Sequence, residues 1–161
     1  MMRRISIAVL ILNLMLGTTM LAGEPFASKV STPENPENDP DLALAILFVE
    51  NVKVPDKEEV GFAAYPEAKI FQTTAAQAEM LPSVRLLSGD EIAQVVEFYK
   101  KELEGWKYKD FYGVHMFYTG NEQDAMFGKI PVIQIEDAEK FKNISATAKS
   151  AITIMYNVKA N

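Results

Sequence analysis

The chain has 161 residues, no cysteine, and 22 acidic against 16 basic side chains. The lack of cysteine excludes disulfides, thiol chemistry and a lipid-modified cysteine, and the acidic balance argues against nucleic acid and against electrostatic docking on anionic lipid. Once a leader is removed, the length suits one domain with its own core.

Met1-Met2-Arg3-Arg4 is a basic start. Residues 5–16 are apolar except for Ser6 and Asn13, and small residues from Gly17 to Gly23 follow. That is the layout of a secretory signal peptide, so residues 1–23 are expected to leave, with cleavage near Ala22 or Gly23. The apolar run is shorter than the roughly 20 residues that cross a bilayer, and no stable membrane span is expected after cleavage. Losing Arg3 and Arg4 leaves 14 basic against 22 acidic residues, a net charge of −8. An exported chain without cysteine points to a bacterial periplasm or the extracellular space.

Residues 24–41 hold Pro25, Pro33, Pro36 and Pro40 among Asn and Glu. Prolines at that density prevent helix and central strand, so this stretch is expected to be a Pro-rich acidic linker. The domain itself is expected over residues 42–161. It begins with the apolar run 42–49, short helix or buried strand by pattern. Asp39 as N-cap and Pro40 at the first helical position favour helix.

Strands are predicted over 68–74 and 83–87, with an Ala-rich loop or helical turn between them. Ser88-Gly89-Asp90-Glu91 reads as a capping box, Ser88 at the N-cap and Glu91 at N3, with Leu87 and Ile92 as the hydrophobic staple. The helix is expected over 90–104: Ile92, Val95, Val96, Tyr99 and Leu103 form one apolar stripe, and Gly105 stops it. Four more strands are predicted, over 106–110, 112–119, 130–136 and 150–158. The second sets Tyr112, Val114, Met116 and Tyr118 against Gly113, His115 and Phe117, and the last sets Ile152, Ile154, Tyr156 and Val158 against Ala151, Thr153, Met155 and Asn157. The fold class is therefore α+β, an antiparallel sheet of about five or six strands packed against one main helix.

The order Tyr65-Pro66-x-Ala68, then Phe98-Tyr99-Lys100-Lys101-x-Leu103, then Gly105-Trp106 resembles a group of small exported bacterial α+β domains, functionally uncharacterised. The resemblance runs from about Tyr65 to the C-terminus and implies a compact fold without implying an activity. Members of that group usually carry Gly where this chain has Glu67.

His115 is the only histidine. With no cysteine beside it, a zinc site is not expected. The sequence holds no nucleophile elbow, phosphate loop or dinucleotide fingerprint. Carboxylates gather at Glu122/Asp124 and at Glu136/Asp137/Glu139, where acidic residues usually serve turns. Asn143-Ile144-Ser145 matches a glycosylation acceptor, relevant only in a eukaryotic secretory pathway. No catalytic residue, metal or cofactor is assigned. The candidate binding residues are His115, Phe117 and Met155, read as one mixed apolar patch with Thr153 and Val132 on the outer sheet face. The competing expectation is that residues 42–49 or the loop 125–127 cover that face.

The expected function is a non-enzymatic exported module that binds an unknown protein or small ligand through the outer sheet face or an edge strand. Two alternatives stand beside it: a hydrolase-type enzyme using His115 with nearby carboxylates, and a homo-oligomeric structural envelope protein.

Overall fold

The computed structural model describes residues 23–30 and 54–158. The leader up to residue 22, residues 31–41 of the Pro-rich stretch and the apolar run 42–49 lie outside the described residues.

Within them the elements run α1 (Lys57–Val60), β1 (Lys69–Thr74), β2 (Ser83–Ser88), α2 (Ile92–Glu102), β3 (Lys107–Phe111), β4 (Val114–Tyr118), α3 (Glu122–Met126), β5 (Val132–Asp137) and β6 (Ser150–Met155), with one 3-10 turn at Glu139–Phe141. The six strands form one sheet in the order β1-β2-β6-β5-β4-β3, and every neighbouring pair is antiparallel. The fold is α+β, as its alternating strands and striped helix require. The chain enters by the β1–β2 hairpin and passes through α2 to the opposite edge. It returns as the meander β3-β4-β5, and β6 closes the gap between β5 and β2.

Register explains why one face is the core. Phe117, Ile133, Ile154 and Val84 stand opposite one another across β4, β5, β6 and β2, and His115, Ile135, Ile152, Leu86 and Ile70 form the next row. The helix stripe closes on these rows: Val95, Val96, Tyr99 and Leu103 share one buried cluster with the sheet isoleucines. Tyr99 lies 6.3 Å from Phe117, ring centre to ring centre. Trp106 packs against the same cluster and meets Phe62 edge-on at 5.2 Å.

Three local expectations are corrected. Ser88 does not cap the helix, because it is the last residue of β2, paired with Ser150, and its Oγ accepts from the Asp90 N–H at 3.1 Å. The capping box forms one turn later between Glu91 and Gln94. Leu87 does not staple onto Ile92, since it belongs to a small cluster on the other sheet face while Ile92 packs on the main core.

The third correction concerns the start of the linker. Residues 24–30 lie on the domain, with Phe26 only 2% exposed inside the main core. The Phe26 N–H donates to Pro55 O at 2.9 Å, the Lys57 N–H to Glu24 O at 3.0 Å, and Lys57 pairs with the Glu24 carboxylate at 2.8 Å. Proline density excludes helix; it does not exclude an extended segment whose one large aromatic finds a core to fill.

Candidate functional site

β3 ends the sheet, and among the described residues nothing pairs with its outer edge. The opposite edge differs. There Ile70 of β1 donates its N–H to Ser28 O at 2.7 Å and accepts from the Val30 N–H at 2.9 Å, so residues 28–30 cover part of it. An open edge presents a row of backbone donors and acceptors able to pair with another chain.

The β3–β4 hairpin turns on two residues, since Phe111 pairs with Val114. Tyr112 (φ 51°) and Gly113 (φ 83°) are both left-handed, as the favoured two-residue hairpin turn requires. Asp110 Oδ1 accepts from the Gly113 N–H at 3.1 Å and fixes the turn. The first turn position suits Asn, Asp or Gly, yet here it carries a tyrosine that is 94% exposed. The pattern predicts Tyr112 inside the strand; the structure moves it to the turn, because the Asp-x-x-Gly segment closes the hairpin there.

Three more aromatic groups line this edge. Tyr108 is 42% exposed, and its ring lies 11° from parallel with the His115 imidazole at 6.1 Å. The Tyr108 hydroxyl and His115 Nδ1 share a hydrogen bond of 2.8 Å, whose direction is set by the imidazole tautomer. Lys100 Nζ stands over the Tyr108 ring at 5.0 Å. Phe111 meets Tyr112 edge-on at 4.9 Å, with Lys109 Nζ 5.8 Å from the Phe111 ring centre. The hydrogen bond to Glu97 holds Lys100 above the usual lysine range, and the bond to Glu122 does the same for Lys109, so both ammonium groups are charged at neutral pH.

The expected binding trio does not come together. His115 and Phe117 share the helix side of β4, and Phe117 is 2% exposed in the main core, so it is not part of an outer patch. Met155 lies on the other face, in a cluster with Met116, Tyr118 and Val132 that Ala125 of α3 closes. A Cβ on Gly128 would stand 2.7 Å from Met155 Sδ, so the glycine backbone packs directly on that side chain. Ala125 and Gly128 thus cover part of this half of the outer face, while Met126 and Phe127 of the same loop stand exposed. Alternation misassigned β4 because both of its faces are apolar; the isoleucine rows of β5 and β6 decide which one meets the helix.

Nor do the carboxylates converge on the histidine. Asp110 Oδ2 is 3.9 Å from His115 Nδ1. Glu122 pairs with Lys109, and Asp124 bonds the side chain of Asn121, which caps α3. Glu136 lies between Arg85 at 3.6 Å and Lys140 at 2.7 Å, and Asp137 accepts from the Glu139 N–H at 2.6 Å. Among the described residues no group of three or more His, Asp or Glu side chains is placed to hold a metal ion. The arrangement at β3 offers a backbone edge, aromatic faces and cationic side chains, which suit an extended polypeptide.

Comparison with known proteins gives no match: no family model, no curated protein and no solved structure is significantly similar to this chain.

Proposed function

We propose that this domain is a non-enzymatic, exported binding module that holds an extended segment of a partner protein along β3. The observation that carries the reading is Tyr112. A tyrosine held left-handed costs about 1–2 kcal/mol relative to an ordinary backbone, and exposing 94% of it to water wastes an aromatic that the core could use. Such strain persists where it serves a contact. Phe111 extends the Tyr112 aromatic surface on the outer face of β3, and Tyr108, paired with Phe117, presents a second partly exposed ring on the helix side of the same edge. A foreign strand is a better match than a second copy of β3, because self-pairing centred on Lys109 would set that lysine opposite itself.

The test is selection of peptides from a displayed random library on the wild-type protein, followed by amide chemical shifts on adding the tightest one. Shift changes should concentrate at 107–112, and Tyr112→Gly should abolish binding while raising stability by about 1 kcal/mol. Selected peptides that perturb another surface, or that bind Tyr112→Gly unchanged, would refute the reading.

A further inference from the structure

At the corner of the sheet away from β3, a cleft of about 460 Å³ opens beside the β1–β2 pair. Its polar lining includes Glu67, Lys69, Ser145 and Thr147, and its apolar lining includes Leu87 and Ile144. Lys69 stands opposite Leu87 in the β1–β2 register, so the lysine shares the sheet face of that leucine. Leu87 and Ile144 belong to one small apolar cluster. The Ser145 and Thr147 hydroxyls are 3.5 Å apart.

Two features set this cleft apart from an ordinary surface hollow. The first is backbone strain. The Ala68 N–H donates to Tyr65 O at 3.2 Å, closing a turn with Pro66 and Glu67 at its centre, and Glu67 has φ 60°. Proline followed by a left-handed residue is the pattern of a type II turn, whose third position belongs to Gly or Asn. A glutamate there is strained, and Glu67 is one of the residues that line the cleft. The second feature is charge. Two residues apart stand a carboxylate and an ammonium, and neither forms an ion pair with any other described residue.

We propose that this cleft binds a small zwitterion with an aliphatic side chain, an amino acid or the equivalent terminus-bearing short peptide. Glu67 takes the ammonium, Lys69 takes the carboxylate, the Ser145 and Thr147 hydroxyls complete the polar contacts, and Leu87 and Ile144 receive the side chain. Opposite charges lining one cleft recognise a molecule that carries both, and reject one that lacks either because a charged partner is then left unmatched. The site is separate from the β3 edge and stands or falls independently of it.

The experiment is an amide chemical-shift titration of the full chain with leucine, with dileucine, with leucinamide (no carboxylate) and with N-acetyl-leucine (no ammonium). Saturable shifts should appear at 67–69, 87–89 and 144–148 with leucine or dileucine, and each blocked compound should bind roughly tenfold more weakly or worse. Saturation by leucine assigns a free amino acid; saturation by dileucine alone assigns a peptide. Lys69→Gln should weaken binding by a similar factor. Glu67→Gly should raise the melting temperature by relieving the left-handed backbone and should abolish binding, so lost binding cannot be blamed on lost folding. No saturable shift with either zwitterion, equal binding of the blocked compounds, or unchanged binding by Glu67→Gly would overturn the proposal.

Discussion

One face of the sheet lies under the helix α2 and carries aliphatic rows from β2 to β5. The other is covered in two pieces, by α3 at one flank and by residues 138–148 at the other, and it is polar between them. Gln72, Arg85, Thr153, Gln134 and Met116 stand in line across five strands of that second face. On it, Arg85 donates to Gln72 Oε1 at 2.9 Å, faces Glu136 at 3.6 Å, and lies 5.1 Å and 4.9 Å from the ring centres of Phe71 and Phe141. The difference shows what a cover must be made of. A helix brings a continuous stripe and needs a continuous apolar floor; two short segments can seal only two small clusters, and the strip between them must satisfy itself with hydrogen bonds and charge.

The largest test of that contrast uses two phenylalanines of the same hairpin. Phe117→Ala should cost about 3–5 kcal/mol, the usual price of emptying a buried aromatic site, whereas Phe111→Ala should stay within about 0.5 kcal/mol. Urea denaturation of both variants reads this directly, and equal losses would mean that the helix side is not the principal core.

The next effect is alkaline. Burial, then the hydrogen bond and charge of Asp90, push Tyr65 up to about 12; burial, with Glu59 and Asp56, does the same for Tyr156; and burial raises Tyr99 as well. All three belong to the helix-side core. Because the unfolded phenol ionises near 10, the unfolded chain releases protons first as pH rises. The stability these groups contribute is complete below about pH 10 and declines between about 10 and 12. Urea midpoints should fall across that range as the phenolate absorbance, followed in parallel, rises. A midpoint that holds steady up to pH 12 would contradict the assignment.

The smallest effect sharpens the outer face. Burial lowers the Arg85 pKa and Glu136 opposes the shift, which leaves a charged guanidinium packed beside two rings. Arg85→Ala should lower stability by about 1–3 kcal/mol through lost cation–π contact, packing and hydrogen bonding. Arg85→Lys should recover little, since an ammonium cannot stack as the planar group does. If thermal melts show the lysine variant equal to wild type, charge alone is at work there.

Much of this architecture was legible along the chain. The stripe Val95, Val96, Tyr99, Leu103 and the alternation of Ile152 and Ile154 are local patterns, and local patterns suffice for a helix, six strands and an α+β class. The candidate site was less legible. Tyr112 read as strand because an aromatic raises strand propensity, while the turn it occupies is set by Asp110 and Gly113 acting together. Phe26 read as linker because nothing adjacent to it announces a core. The trio His115, Phe117 and Met155 read as one patch because alternation says which residues share a face and not which face turns inward.

Sequence by itself determined the main helix, the six strands and their order, but not the short helices at Lys57–Val60 and Glu122–Met126, since periodicity needs more residues than one turn supplies. Only the tertiary structure decided that Phe117 is core and Met155 is not. On β4 both faces are apolar, so its inward side follows from pairing with Ile133 and Ile135, and those partners are brought opposite it only when the sheet closes.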